Sequence, residues 1–376
     1  MKKLTYILTL CALLFVYGCD NEMGVPEEDN NQHIIPDGDY IYLDAGVSTR
    51  GALVEGTSLN ANFGAYGYTY NFSNRWTTFR KTGKPNVFEN TPQEVTHEDG
   101  FYSYSPMQKW QGGKYTFFAY YPYGHSNVKA SSEDVENTPY VIYSPSLSNT
   151  SNHADIMTAI FEDTSLSSSP YAYFDFHHRL AAIDVAALNF YEYSHNEGGS
   201  IHTDKVTIEI TDLSLAFENL TYKKATIYLD RRVASERTEN DVENDAANFT
   251  IVDGDDGDDG DNFKIEPSIT SEFQLITDAK SQQTMLLIPQ ENEDLKVTTT
   301  IKYRKLLPNN KYVNSNDGLS DTPYIFTDTK ETSFGQALKE GSRYYIQITF
   351  TSSAVSINII TSAEWDEMFG IDHEFE

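Results

Sequence analysis

Alternation of apolar and polar residues is the feature that most constrains the fold of this chain. In "KVTIEI" (205–210) and in "SRYYIQITF" (342–350), every second residue is apolar. This period points successive side chains to opposite faces, as in a strand with one buried face. "KYTFFAYYPYG" (114–124) is apolar on both faces, which predicts a central strand. Helical periodicity is scarce, and only 155–161 and 335–339 are compatible with short helical turns.

Many short strands separated by Gly, Asn, Pro and Ser predict a mostly antiparallel all-β chain, and the spacing favours sandwiches over barrels. Tyr (26 residues) and Phe (21) are abundant, which suits half-buried sheet surfaces. The chain has 376 residues. Because a domain typically has about 150 residues, this length predicts two domains. The Ser/Pro cluster "SLSSSPYA" (165–172) predicts the boundary, with domains at 40–170 and 171–376 and a mobile acidic insertion at about 231–262.

The N-terminus has the features of an export signal. A positive start and a short apolar run (4–16) end at Gly18-Cys19, and the run is too short to span a bilayer. Val16 to Cys19 resembles the lipobox of bacterial lipoproteins. This resemblance implies a signal peptide at 1–18, a fatty acid such as palmitate on Cys19, and a flexible acidic tether at 19–39. The alternative is an ordinary secretory leader with an incidental cysteine.

The number of cysteines and the net charge limit which cross-links and which binding partners are expected. Cys11 and Cys19 are the two cysteines, so removal of the leader leaves no pair for a disulfide. The formal net charge of −29 argues against a nucleic-acid partner. An anionic membrane would also repel the chain, which favours attachment through the lipid on Cys19.

The polar motifs do not indicate an enzyme or a cofactor. "DGDDGDDGDN" (253–262) departs from the spacing of an EF-hand, so we interpret it as a solvated acidic loop and predict no metal. In "FDFHHRLAAI" (174–183), alternation points His177 and His178 to opposite faces, so both cannot bind one metal. His178 is expected to be half-buried, while Asp175, His177 and Arg179 share the other face. Nucleophile elbow, phosphate loop, HExxH and cysteine-pair motifs are absent from the sequence.

Seven stretches, in order along the chain, resemble the fimbrillin family, the pilus subunits and related surface lipoproteins of Bacteroidales-type bacteria. They are "AGVSTRG" (45–51), "FYSYSPMQKWQGGKYTFFAYYP" (101–122), "ADIMTA" (154–159), "FHHRLAAI" (176–183), "TMLLIPQ" (284–290), "EGSRYYIQITF" (340–350) and "AEW" (363–365). The resemblance implies two transthyretin-like antiparallel β-sandwich domains in tandem, on an outer-membrane lipoprotein precursor.

The resemblance also implies proteolytic maturation near the first strand. In such subunits a trypsin-like protease cuts after an arginine, and Arg50 followed by Gly51 fits that position. Arg75 and Arg80 are rivals, and Arg50 is otherwise a plain surface residue. The released segment includes "YIYLDAG" (40–46), in which Ile41 and Leu43 alternate with tyrosines as in an edge strand.

The emptied groove would then accept a strand from a neighbouring subunit. In "AVSINIITSAEWDEMFGIDHEFE" (354–376), Val355, Ile357 and Ile359 alternate in one register. This segment is either a donor strand or the last strand of its own sandwich. Insertion of a donor strand is β-augmentation, in which main-chain hydrogen bonds supply affinity and alternate side chains fill pockets.

The resemblance predicts a surface-exposed fimbrial subunit or adhesin. Its expected partners are other fimbrial subunits, in a homo- or hetero-polymer, and a host-surface receptor is a further candidate. One alternative is a lipid-anchored binding module that never polymerises and takes host glycan or protein, with Trp76, Trp110 and Tyr123 as candidate sugar contacts. A second is a β-rich hydrolase, which needs a cleft with converging polar groups.

The leader generates a direct test of the anchor. Cys19→Ala should abolish labelling by a fatty-acid analogue and release the chain from membranes, because no other thiol follows the leader. Labelling is measured in cells, with Cys11→Ala as the matched control that keeps the lipid. Continued labelling of Cys19→Ala would contradict the prediction.

Overall fold

Strands make up nearly all of the regular structure, which confirms the predicted all-β fold. The computed structural model describes residues 40–47, 57–79, 83–132, 138–168, 170–239, 247–253, 262–268, 273–277 and 284–362. Within these ranges, one short helix (α1) spans Trp76–Phe79 and a 3-10 turn spans Thr150–Asn152. No helix of the described residues is long and apolar enough to cross a membrane.

The strands are numbered in chain order. The first ten are β1 Tyr42–Val47, β2 Thr57–Ser58, β3 Phe63–Tyr70, β4 Gln93–Glu98, β5 Phe101–Ser103, β6 Lys114–Tyr121, β7 Val128–Ala130, β8 Tyr140–Tyr143, β9 Met157–Thr164 and β10 Tyr171–His178. The next eight are β11 Ala181–Phe190, β12 Glu192–Glu197, β13 Ser200–Lys205, β14 Thr207–Glu218, β15 Tyr222–Tyr228, β16 Glu236–Glu239, β17 Ala247–Asp253 and β18 Phe263–Ile265. The last eight are β19 Gln274–Leu275, β20 Met285–Leu287, β21 Lys296–Leu306, β22 Tyr312–Val313, β23 Leu319–Ser320, β24 Phe326–Ser333, β25 Arg343–Thr351 and β26 Val355–Ser362.

An eight-stranded sheet in the order β2-β1-β10-β9-β6-β3-β4-β5 forms the first part of the fold. Its strands pair antiparallel except β1 and β10, which run parallel over six residue pairs. One face of this sheet carries the N-terminal core, a cluster of buried side chains that includes Ile41, Phe63, Phe117 and Phe174.

Strands β3 and β6 are buried on both faces. Phe117 joins the N-terminal core, whereas its neighbour Phe118 joins Tyr66 and Tyr68 in a second cluster, the central core. A four-stranded sheet in the order β16-β15-β8-β7 covers the central core. It contributes side chains such as Tyr143 and Ile227 to that core. The prediction that 114–124 supplies a central strand is therefore confirmed for β6.

That four-stranded sheet combines strands from both sides of residue 170. β15 pairs antiparallel with β8, from Ala225 opposite Tyr143 to Tyr228 opposite Tyr140. Contacts group the chain from Gly38 onward into one compact unit. The division into two domains at residue 170 stays a prediction.

The C-terminal core lies between two further sheets. One has the order β19-β11-β25-β26, with β20 also beside β11, and the other has the order β17-β14-β21-β22-β23, with β18 and β24 at its sides. Ile183, Leu213, Ile301 and Ile346 from β11, β14, β21 and β25 meet in this core. β12 and β13 form a separate two-stranded hairpin.

Three local predictions differ from the structure. The stretch at 155–161 is not helical, because Met157 and Ala159 enter the N-terminal core as part of β9. The stretch at 335–339 is also not helical. The predicted insertion at about 231–262 contains β16 and β17, and Phe249 and Ile251 anchor β17 in the C-terminal core; its residues 240–246 and 254–261 lie outside the described residues.

Arg179 is buried, although alternation placed it on an exposed face. β10 ends at His178, so the strand period no longer applies at the next residue. The Arg179 guanidinium forms an ion pair with Glu340 (Nε to Oε1, 2.7 Å) and donates to the Thr158 hydroxyl (2.8 Å) and the Tyr228 carbonyl (2.7 Å). Burial lowers the pKa of Arg179, and the Glu340 carboxylate opposes that shift. One side chain thus connects β9, the end of β15 and the turn before β25.

Arg179→Met should lower the free energy of unfolding by about 1–3 kcal/mol, because it leaves the Thr158 hydroxyl and the Tyr228 carbonyl without their donor. The matched control is Arg231→Met. Arg231 contacts the same carboxylate at a longer distance (Nε to Glu340 Oε1, 3.6 Å), and its side chain is 33% exposed. That variant should cost less than about 1 kcal/mol. Urea unfolding of both variants measures the difference, and equal small losses would contradict the assigned role of Arg179.

Candidate assembly site

β1 occupies a slot with main-chain partners on both sides. On one side it pairs with β10, from Tyr42 opposite Tyr171 to Val47 opposite Phe176. On the other side the Ile41 amide donates to the Gln108 carbonyl (2.9 Å), and β2 pairs with the end of β1. The slot is therefore an interior position of the sheet and not a free edge.

The side chains of this strand alternate as predicted. Ile41, Leu43 and Ala45 are 0%, 5% and 4% exposed and belong to the N-terminal core, whereas Tyr42 and Asp44 lie on the other face. The predicted alternation of 40–46 is confirmed, whereas the predicted edge position is wrong, because β1 has main-chain partners on both sides. Strand-to-strand pairing supplies the main-chain bonds, and these three apolar side chains fill the slot.

Aromatic rings form the wall behind β1. The Phe63 ring lies 5.5 Å from that of Phe174 and 5.4 Å from that of Phe176, between ring centroids. An empty slot would expose this apolar wall and the unpaired main-chain groups of β10 to water. Exposed apolar surface costs about 25 cal/mol per Å², so an empty slot favours a replacement strand.

Tyr104 closes the start of the slot. Its hydroxyl donates to the Ile41 carbonyl (2.9 Å) and accepts from the Gln108 amide (3.3 Å). Burial raises the pKa of Tyr104 to about 12, so the hydroxyl stays protonated and can donate even above pH 10. Sequence reasoning missed Tyr104 and Gln108, because alternation indicates which face is buried and not which distant strand is adjacent.

The predicted processing residues are not part of the described structure. Arg50 and Gly51 lie outside the described residues, between the end of β1 and the start of β2, and so do Cys19 and Arg80. The rival Arg75 is described, and its carbonyl accepts hydrogen bonds from the Thr78 and Phe79 amides (both 3.0 Å) at the start of α1. A protease would have to break these bonds to extend the chain at Arg75, and cleavage at Arg50 stays a prediction.

The predicted donor residues lie in β26, at one end of the described sheet. β26 pairs antiparallel with β25 over eight residue pairs, from Phe350 opposite Val355 to Arg343 opposite Ser362. Val355 and Ile357 are 7% and 9% exposed in the C-terminal core, and Ile359 packs against it. In this chain the segment is the last strand of its own sheet, which is one of the two predicted alternatives.

The remaining polar motifs do not converge on a common site. His178 contacts Asp155 (2.9 Å), while His177 contacts Asp175 (3.5 Å), so the adjacent histidines meet different carboxylates. Trp76 and Trp110 are buried core residues, at 0% and 8% exposed. Most of the acidic run at 253–262 lies outside the described residues. The described residues contain no group of three or more His, Cys, Asp or Glu side chains that could hold a metal ion.

Comparisons with known proteins identify the family and the fold. A family model described as "Fimbrillin-like" matches residues 55–365. The chain is similar to a fimbrial protein from Bacteroides vulgatus ATCC 8482, at 20% identity over 86% of this chain and 99% of that chain, with a TM-score of 0.63. It is also similar to a proposed cell adhesion protein from Bacteroides uniformis ATCC 8492, at 15% identity over 88% and 100% of the two chains, with a TM-score of 0.44. No curated protein matches the sequence. At such identities, the similarity to the Bacteroides vulgatus protein shows a shared fold.

Leu43→Ala should lower the free energy of unfolding by about 2–5 kcal/mol, because it opens a cavity between β1 and the N-terminal core. Asp44→Asn, on the outer face of the same strand, is the matched control and should change stability by less than about 0.5 kcal/mol. Denaturant unfolding of the uncut chain gives both values. Equal effects would show that β1 is not seated by its inward side chains.

Proposed function

The chain belongs to the fimbrillin-like family, and we propose that it is a fimbrial subunit or adhesin that polymerises by donor-strand exchange after proteolysis at Arg50. In this proposal an export signal and the lipid on Cys19 first hold the precursor at the outer membrane. Cleavage after Arg50 then separates the folded body from the anchor and from β1. The slot beside β10 takes the C-terminal strand of the next subunit.

The observation that carries the proposal is the placement of β1. Ile41, Leu43 and Ala45 are buried in the N-terminal core, yet the only covalent link from β1 to the rest of the described fold runs through residues 48–56, which include Arg50. One cut in this interval detaches an interior strand without cutting any other strand.

β26 has the pattern that the slot requires. Val355, Ile357 and Ile359 repeat at the two-residue spacing of Ile41, Leu43 and Ala45, and main-chain pairing places no further demand on side-chain identity. In its own sheet β26 pairs with β25 alone, because it is the last strand in the order β19-β11-β25-β26. A strand in the slot has partners on both sides. Transfer of β26 from the edge of its own sheet to an empty slot would therefore add main-chain hydrogen bonds.

Complementary mixing tests this mechanism. One variant, Arg50→Ala, keeps its own β1 and can only donate a strand. A second variant, truncated after Ser353, can only accept one. After trypsin treatment neither should polymerise alone, whereas their mixture should form dimers that resist mild detergent and stop at two chains. Gel electrophoresis and size-exclusion chromatography measure the products, and circular dichroism verifies that the truncated chain is folded.

The controls separate assembly from unfolding. Arg75→Ala should form ladders as the unmodified chain does, because its arginine is not the proposed cleavage site. If cut, folded protein stays monomeric at high concentration, donor-strand exchange is wrong and the non-polymerising, lipid-anchored binding module replaces it. Ladders from the truncated variant alone would instead show that β26 is not the donor.

A further inference from the structure

In the donor-strand exchange proposed above, the C-terminal strand leaves the fold at one defined end. Residues 352–354 connect β25 to β26, and Thr351 at the end of β25 lies opposite Phe190 at the end of β11. A donor that replaces β1 in the same direction places its Val355 where Ile41 now lies. Because only three residues lie between Thr351 and Val355, the two can be at most about 14 Å apart. The Phe190 end of one subunit then lies next to the start of its neighbour's slot.

The β12–β13 hairpin projects from this same end. β12 begins at Glu192, two residues after Phe190, and among the described strands it pairs with β13 alone. The hairpin has six residue pairs, of which the last is Glu197 opposite Ser200, so its paired strands span about 17 Å. A neighbour held through the connector 352–354 is therefore within reach of the hairpin.

The base of the hairpin is fixed to the point where the donor strand leaves. Ser352, the first residue of the connector, accepts from the Glu192 amide (3.2 Å) and donates to the Glu192 carbonyl (2.9 Å) through its hydroxyl. On the other strand, the buried Asn189 side chain donates to the Val206 carbonyl (2.6 Å), directly after β13. Both strands are thus held at the base, and the position of the hairpin follows that of the connector.

The outer half of the hairpin presents an apolar side chain to solvent. Ile201, on β13 next to the tip, is 80% exposed and is the most exposed large apolar side chain of the described residues. Its neighbours His202 and Thr203 are exposed as well. Burial of Ile201 against another protein surface would remove this apolar area from water, which favours association.

The start of the slot also exposes apolar surface. Met107 is exposed and precedes Gln108, whose carbonyl accepts from the Ile41 amide (2.9 Å). On the other side of β1, Tyr171 is exposed and lies opposite Tyr42. We call Met107 and Tyr171 the slot mouth. A donor's connector arrives at the slot mouth when Val355 takes the place of Ile41.

We propose that the outer half of the β12–β13 hairpin, centred on Ile201, contacts the slot mouth of the next copy of this chain in the polymer. This contact rests on the proposed donor-strand exchange and adds a second link between the same two subunits. The donor strand supplies main-chain pairing, whereas the hairpin supplies an apolar contact that sets the orientation of one folded body relative to the next.

Site-directed cross-linking tests this contact in mixtures of the donor-only and acceptor-only variants. Cys11 and Cys19 are replaced by serine, so that each chain carries only the thiol that is introduced. After trypsin treatment, a short bismaleimide should join Ile201→Cys of the donor to Met107→Cys of the acceptor. The matched control is Leu166→Cys in the donor. That side chain is also exposed, but it lies in the turn before β10 and not at the hairpin end, so it should not cross-link.

Dissociation of the dimer supplies a second readout. Ile201→Asp in the donor changes neither the slot nor β26, so dimers should form, but their dissociation in urea should be about tenfold faster, as expected for the loss of one aliphatic contact. His202→Asp places a carboxylate on the opposite face of β13 and should leave the rate unchanged. Circular dichroism verifies that each donor is folded.

The outcomes separate the hairpin contact from strand exchange. Dimers that form without the cross-link, or that dissociate equally fast with and without Ile201→Asp, would overturn the hairpin contact and leave donor-strand exchange standing. A lack of dimers from the donor with the unmodified hairpin would overturn both.

Discussion

The burial of β3 and β6 on both faces is the constraint on which the rest of the fold depends. These two strands separate the N-terminal core from the central core, and they lie side by side within the eight-stranded sheet, with β9 beside β6 and β4 beside β3. Tyr66, Tyr68, Phe117 and Phe118 are all fully buried. Full burial of one such side chain contributes about 1.5–3 kcal/mol, so aromatic packing along these two strands stabilises the first half of the fold.

Buried polar groups decide which strands meet. Asp184 on β11 is fully buried and accepts from the Thr277 hydroxyl (2.8 Å), the Thr284 hydroxyl (2.6 Å) and Arg343 Nε (2.5 Å). Arg179 makes equivalent connections between β9, β15 and the turn before β25. An unpaired buried charge is far more costly than an imperfect apolar contact. These groups therefore disfavour alternative registers that the apolar residues alone would tolerate.

The slot of β1 depends on a different balance. Its main-chain bonds do not depend on side-chain identity, and its side-chain requirement is only an apolar residue at every second position. Many strands of this chain meet that requirement, including β26. In the proposed mechanism this slot accepts a replacement strand because its anchoring is apolar and repetitive, whereas the partners of Asp184 and Arg179 are specific.

The sequence by itself determined the all-β class, the central position of β6 and the inward faces of β1 and β26, because a two-residue period reports directly on strand faces. Only the tertiary structure decided which strands are neighbours. It placed β1 parallel to β10, joined β15 to β8, and brought Tyr104 to the Ile41 carbonyl. It also buried Arg179, and it formed a strand at 157–164 where a helical turn was expected. Alternation carries no information about pairing partners, since any apolar face can cover any other, and the partners are fixed only when all cores and buried polar groups are satisfied together.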